Sequence, residues 1–180
     1  MRRYTFVGRL SIDLAATREE GETWEFEALE TATDLRRWLS ACPLAVDGVE
    51  VSDDDLAIAK ALRRAIWDAF DETLEHGGPR AADLAVINGM AGEPPLVPAL
   101  NGLDRTWREP TAVQAFSDIA RDAIALLSDP KQLVRLRRCE NPDCERMFYD
   151  ASRPGRRRWC STARCGDRMR SRAYRSRHQP

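Results

Sequence analysis

The chain of 180 residues contains no run of about 18 apolar residues, the length that a transmembrane helix needs. Its first residues include two arginines, Arg2 and Arg3, but no long apolar stretch follows them, so no secretory signal is predicted. The chain also lacks internal repeats and low-complexity segments. These absences predict a cytoplasmic protein with no membrane partner.

The residues and motifs that support catalysis are equally scarce. The two histidines, His76 and His178, are far apart in the sequence, and no Ser/His/Asp order or phosphate-binding glycine loop occurs. The acidic run 53–55 follows Ser52 and is typical of a helix N-terminus rather than of a catalytic carboxylate set. The sequence therefore predicts that the protein is not an enzyme.

The net charge of -1 combines two segments of opposite sign. Residues 131–180 contain 15 basic and 5 acidic residues, a net charge of +10, whereas residues 1–130 contain 13 and 24, a net charge of -11. Such asymmetry indicates two separate roles, and the basic segment favours binding to a polyanion. The alternative is that the two segments attract each other.

Hydrophobic periodicity predicts an α+β protein with two domains, 1–130 and 131–180. The first is mainly helical with small β hairpins, and the second is a small four-cysteine module that ends in a basic helix. Predicted helices cover 33–39, 52–77, 79–91, 111–127 and 130–137. Strands are predicted over 4–7 and 24–29, and a hairpin over 96–100 and 105–108.

Four of the five cysteines form two pairs with matching spacing. Cys139 and Cys144 are separated by four residues, as are Cys160 and Cys165, and fifteen residues lie between the pairs. Zinc prefers four thiolates at tetrahedral corners, and a site filled by four sulfurs leaves no position for water. The pattern predicts a structural Zn²⁺. Four reduced, buried cysteines are the alternative, and the spacing does not match ferredoxin iron–sulfur patterns.

Arginine dominates the basic segment, in which Lys131 is the only lysine. Guanidinium groups contact phosphates bidentately and can read guanine edges. One group of arginines surrounds the predicted turn at Pro154-Gly155, and a second lies along the predicted C-terminal helix. The candidate nucleic-acid-binding residues are Arg153, Arg156, Arg157, Arg158, Arg164, Arg168, Arg170, Arg172, Arg175 and Arg177. A solvated basic tail is the alternative.

The segment 160–168, Cys-Ser-Thr-Ala-Arg-Cys-Gly-Asp-Arg, resembles the CGNR zinc finger family. The cysteine intervals, Phe148, Asp150 and Trp159 extend the resemblance to about 40 residues. The asparagine of the family signature is replaced by Asp167 here. An acidic side chain at this position argues against a phosphate or base contact there, but it does not affect the metal site.

The segment 8–17, Gly-Arg-Leu-Ser-Ile-Asp-Leu-Ala-Ala-Thr, resembles the opening motif of the ABATE domain, which commonly precedes that zinc finger. Asp13 and Thr17 match the motif, whereas Ala16 occupies the position of its asparagine. The resemblance implies a stress-responsive transcription regulator and makes Asp13 and Thr17 candidate ligand-binding residues for a small-molecule effector. They are equally compatible with a turn or a helix cap.

The leading hypothesis is a DNA-binding transcription regulator whose N-terminal domain senses a signal or forms a homodimer. RNA binding is an alternative, because Phe148, Tyr149, Trp159 and Tyr174 could stack on unpaired bases. A protein-interaction module that binds an acidic partner through the basic zinc finger is a second alternative.

Overall fold

The computed structural model describes residues 4, 6, 8–21, 24–144 and 146–177, and within these ranges the architecture is α+β. Three two-stranded antiparallel sheets accompany the helices. The helices are α1 Leu10–Ala15, α2 Ala32–Ala41, α3 Asp53–His76, α4 Ala81–Ala91, α5 Ala112–Ser128, α6 Pro130–Leu133 and α7 Asp167–Arg177. The strands are β1 Arg18–Gly21, β2 Trp24–Glu27, β3 Pro98–Asn101, β4 Asp104–Trp107, β5 Leu136–Arg138 and β6 Met147–Tyr149.

Three of the helices begin at capping boxes that can be read from the sequence. Thr31 with Asp34 caps α2, Ser52 with Asp55 caps α3, and Thr111 with Gln114 caps α5. In each box the first side chain accepts from the backbone N–H of the second residue, and the second side chain accepts from the backbone N–H of the first, so free N–H groups are satisfied. Helix α3 ends at Gly77, whose φ of 82° is the left-handed conformation that glycine adopts without strain.

Helix α3 is the central element of the core. Its 24 residues span about 36 Å, and it packs against α1, α4 and α5. Leu62, Ile66 and Phe70 of α3 are buried, as are Phe116 and Ile119 of α5. The apolar spacing that predicted α3 and α5 therefore marks their buried faces.

Within the described parts of the chain, none of the helices combines the length and the apolar character that a membrane span requires.

The main core continues beyond α5 into the first strands of the cysteine-containing segment. Leu136 of β5 and Met147 of β6 are buried members of the core cluster that also contains α1, α3 and α5 residues. The predicted helix over 130–137 is wrong in its second half: α6 ends at Leu133, and the chain then extends to form β5. The extended backbone lets Leu136 pair with Tyr149 across the β5–β6 hairpin.

The other predicted elements differ from the structure mainly at their ends. The 24–29 strand is β2, and its partner is β1, which the sequence did not predict. Most of the predicted strand over 4–7 lies outside the described residues. The predicted hairpin is β3–β4, with Leu100 opposite Arg105. Helix α1 was not predicted, because six residues are too few to show a helical period.

A partly buried ion pair joins α3 to the first hairpin, β1–β2. The Arg63 guanidinium donates to both carboxylate oxygens of Glu27, at 2.8 and 2.6 Å, and to Oγ1 of Thr17 at 3.0 Å. Burial raises the pKa of Glu27, but the hydrogen bonds from Arg63 and from the Leu29 N–H, together with the charge of Arg63, lower it further than burial raises it. The net pKa of Glu27 lies below its usual value.

Arg63→Met should destabilise the protein by about 3 kcal/mol, because it leaves the Glu27 carboxylate partly buried without its partner. Since the folded-state pKa of Glu27 is lowered, this difference should be complete above the ordinary carboxyl pKa and shrink as the pH falls through the lowered pKa. Urea unfolding of both proteins at several pH values measures it.

Arg64→Met is the matched control, because Arg64 is the next residue of α3 and forms an exposed pair with Asp68 at 2.8 Å. Its loss should cost at most about 0.5 kcal/mol. Equal destabilisation by the two variants would show that the buried pair has no special role.

Candidate metal centre

The first cysteine pair lies in the turn that joins β5 to β6. The Cys139 N–H donates to the carbonyl of Arg146 at 3.0 Å and so continues the β5–β6 pairing. The Cys144 N–H donates to the carbonyl of Asn141 at 2.9 Å, which closes a tight turn between the two cysteines. The hairpin therefore carries both sulfurs at its closed end, next to the main core.

The second pair lies at the start of the C-terminal helical segment. A π-helical turn, Thr162–Gly166, precedes α7 and contains Cys165. The Ser161 hydroxyl accepts from the Arg164 N–H at 3.3 Å and so caps the start of this turn. The Cys165 N–H donates to the Ser161 carbonyl at 3.0 Å, which brings the Cys165 sulfur back toward Cys160.

The four sulfurs lie close enough together to hold one metal ion. All four lie within 4.8 Å of one another. The Sγ atoms of Cys144 and Cys160 are 3.8 Å apart, and those of Cys160 and Cys165 are 3.7 Å apart. A regular tetrahedron with Zn–S bonds of about 2.3 Å has sulfur–sulfur edges of about 3.8 Å. The two measured distances therefore match the edges of a tetrahedral Zn²⁺ site, and a bound ion would hold the two chain segments together.

The surroundings of the sulfurs give Cys139, Cys144 and Cys160 different thiol pKa values. A hydrogen bond from the Cys160 thiol lowers the pKa of Cys144 to about 5, and the same bond raises the pKa of Cys160 above its usual value. Burial raises the pKa of Cys139 to about 11. One thiolate at Cys144 is therefore stable near neutral pH, whereas the Cys139 and Cys160 thiols must lose protons when metal binds.

A buried arginine lies beside the cluster. Arg146 is 7% exposed, and burial lowers its pKa, whereas the thiolate forms of Cys160 and Cys165 would raise it. Four thiolates around Zn²⁺ carry a net charge of -2, so a guanidinium at this position offsets part of that charge. The role of Arg146 could not be predicted from the sequence, because nothing in its spacing distinguishes it from the surface arginines.

The loop between the pairs is organised by a second polar centre, Asp150. Its carboxylate accepts from the N–H groups of Ser152 at 3.0 Å and Arg157 at 2.8 Å. Burial raises the pKa of Asp150, but these hydrogen bonds lower it further, so the carboxylate stays ionised. Arg135 donates to the carbonyls of Asp150 and Ser152, each at 2.9 Å. The turn at 153–156 therefore has a fixed shape.

The predicted nucleic-acid-binding arginines fall into distinct environments. Some have structural partners: the Arg157 guanidinium donates to the Cys160 carbonyl at 2.8 Å, and that of Arg158 lies 4.9 Å from the Trp159 ring and pairs with Glu140. Arg170 pairs with Asp167, and Arg172 with Asp143 at 3.6 Å. The side chain of Arg177 lies outside the described part of the structure.

Five of these arginines remain available to a ligand. Within the described residues, no acidic side chain pairs with Arg153, Arg156, Arg164, Arg168 or Arg175, and all five are exposed. A groove of about 740 Å³ lies between the first cysteine turn and α7 and brings four arginines together. Its lining includes Arg164, Arg168, Arg172 and Arg175 together with Asn141, Asp143 and Asp167.

The two candidate ligand-binding residues lie in the body of the protein, residues 1–130, outside the zinc finger. Asp13 and Thr17 are both buried, at the end of α1. The Thr17 hydroxyl donates to the Leu14 carbonyl at 2.6 Å and accepts from Arg63. Thr17 thus has structural partners, and the ligand-binding role of both residues stays a prediction.

Zinc affinity should rise steeply with pH. Because Cys139 and Cys160 are protonated near neutral pH, binding should release at least two protons, and the association constant should increase about 100-fold or more per pH unit between pH 6 and 7. Competition titrations against a chromophoric chelator measure it. An affinity independent of pH would contradict the assignment of these two thiols as ligands.

Comparison with known families agrees with this geometry. Residues 8–130 match ABATE, described as "Putative stress-induced transcription regulator", and residues 135–178 match the CGNR zinc finger. No curated protein shows significant similarity to the chain. The resemblances inferred from 8–17 and 160–168 are therefore confirmed. Since the first match covers more than half of the sequence, the chain belongs to the ABATE family and carries a CGNR zinc finger, with Cys139, Cys144, Cys160 and Cys165 as its structural zinc site.

Proposed function

We propose that the protein is a zinc-dependent, cytoplasmic DNA-binding transcription regulator. In this proposal residues 131–180 bind the phosphate backbone through their arginines, and residues 1–130 sense a signal, through a small-molecule effector, or form a homodimer. The observation that carries the proposal is the set of exposed arginines without acidic partners on a segment that the metal site orders. Phosphate contacts would supply affinity, and one or two arginines would read bases.

The ion-pair partners of the arginines support binding of the basic surface to an external polyanion. Arg138 of β5 pairs with Asp71 and Glu75 of α3, so the acidic body does attract one cation of the basic segment. The candidate arginines behave differently. Where the described residues give them ion pairs, the acidic partners are Glu140, Asp143 and Asp167, all within the zinc finger itself. Attraction between the two halves therefore does not account for this surface.

The positions of the aromatic residues favour a duplex over unpaired RNA. Phe148 is 0% exposed, and Trp159 is half-buried beneath Arg158. The Tyr149 hydroxyl bonds to Gln132 of α6. Of the four aromatic residues predicted to stack on bases, only Tyr174 is largely exposed, at 60%. Single-strand recognition uses several stacking platforms, and this surface offers one.

Titration against duplex DNA, single-stranded DNA and RNA at several salt concentrations tests the proposal. If about six arginines contact phosphates, the logarithm of the association constant should fall with the logarithm of salt concentration with a slope near -5. The duplex should bind most tightly. Binding that is insensitive to salt, or stronger binding to single strands, would contradict the proposed interface.

Two cysteine variants separate a folded zinc finger from a charged tail. Cys144→Ser removes one metal ligand and should weaken duplex binding by about tenfold or more, because the module loses its fixed shape. Cys42→Ser is the matched control, since Cys42 is buried in the body, away from the four-cysteine cluster. Equal binding by Cys144→Ser and the wild type would reduce the module to a solvated basic segment.

A further inference from the structure

The groove beside α7 contains one feature that the positive charge of its rim does not explain. Asn141 is the only buried residue among those that line it, with 1% of its surface exposed. Its Oδ1 accepts from the Asp143 N–H at 3.3 Å, which identifies the other end of the amide as Nδ2. That nitrogen has no hydrogen-bond partner among the described residues. Asn141, a residue of the groove lining, therefore carries a buried donor that is unused.

An unsatisfied buried amide is costly, and native proteins usually provide a partner for it. The partner that fits here is an anion, because Asn141 shares the groove lining with Arg164, Arg168 and Arg172. All three guanidinium groups are exposed side chains of the π-helical turn and α7, so they can turn toward a group bound in the groove. An uncharged ligand would leave these cations unused.

We propose that this groove binds one phosphate group of the DNA backbone, with Nδ2 of Asn141 as its buried donor and Arg164 and Arg168 as its charged walls. The inference rests on the proposed function and specifies where the backbone is anchored. A phosphate presents oxygens in several directions, which matches donors that come from the first cysteine turn and from α7. The phosphates on either side would lie near Arg172 and Arg175.

The acidic residues at the rim do not block this site. Asp143 pairs with Arg172 at 3.6 Å, and both side chains are more than half exposed. Asp167 pairs with Arg170 rather than with the arginines assigned to the walls. Exposed pairs of this kind contribute little free energy, so Arg172 can exchange Asp143 for a phosphate at small cost. Asp143 and Asp167 would disfavour a second anion in the same groove.

Asn141→Asp tests the donor with almost no change of shape. The aspartate keeps the oxygen that accepts from the Asp143 N–H but replaces Nδ2 by an anionic oxygen. Duplex affinity should fall by about tenfold or more, the effect of losing a hydrogen bond to a charged group. Asn101→Asp, in the exposed β3–β4 hairpin, makes the same chemical change away from the groove and should alter affinity less than about twofold.

Because Asn141 lies between two metal ligands, a second pair of variants tests the groove without touching the zinc site. Ser171 lines the groove from α7, whereas Ser176 of the same helix does not. Ser171→Asp should weaken duplex binding by about tenfold, and Ser176→Asp should weaken it by no more than about threefold. Both should keep one zinc ion per chain. If Asn141→Asp loses its metal, the comparison of Ser171→Asp with Ser176→Asp shows whether the groove binds the duplex.

These measurements distinguish failure of the phosphate site from failure of the proposed DNA binding. Wild-type protein that binds duplex DNA, together with Ser171→Asp and Ser176→Asp variants of equal affinity, would overturn the groove and leave the proposed function intact. Wild-type protein that does not bind duplex DNA would overturn both. Inorganic pyrophosphate should displace the duplex at lower concentration than polyglutamate of equal charge concentration. The reverse order would replace the phosphate by an acidic protein partner.

Discussion

Coordination of one metal ion by four thiolates is the interaction on which the C-terminal third of the protein depends. Among the described residues, Phe148 is the one fully buried large side chain of the apolar cluster around the sulfurs, with Trp159 packed at its edge. So small a cluster cannot offset the conformational entropy of an arginine-rich segment. The free energy of metal binding therefore becomes the free energy that folds it. Without it, the arginines would have no fixed positions.

The hairpin that carries the first two cysteines belongs to both parts of the molecule. Leu136 and Met147 are in the main core, while Cys139 and Cys144 follow and precede them in the chain. Arg9, at the start of α1, pairs with Asp122 and lies over the Tyr149 ring of β6. A movement of α1 would thus reach strand β6 of this hairpin through direct contacts. This arrangement suits the proposed regulator, in which the body controls the finger.

The sequence was most informative where one physical rule determined the outcome. The paired Cys-x4-Cys intervals predicted the metal cluster, and Ser52 with Asp55 predicted the start of α3. Three-dimensional partners were not predictable: Arg63 pairs with Glu27 across 36 positions, and Arg157 and Arg158 use their guanidinium groups inside the module. Charge and spacing alone therefore could not distinguish the structural arginines from Arg164 and Arg168.

X-ray absorption at the zinc K edge of the purified, reduced protein tests the coordination of zinc by four thiolates most directly. A tetrahedral thiolate site requires a single shell of four sulfur atoms at about 2.3 Å. Elemental analysis of the same sample should give one zinc per chain. A shell that contains nitrogen or oxygen ligands, or a sample without stoichiometric metal, would contradict the account, because the C-terminal arginines would then lack the ordered surface described above.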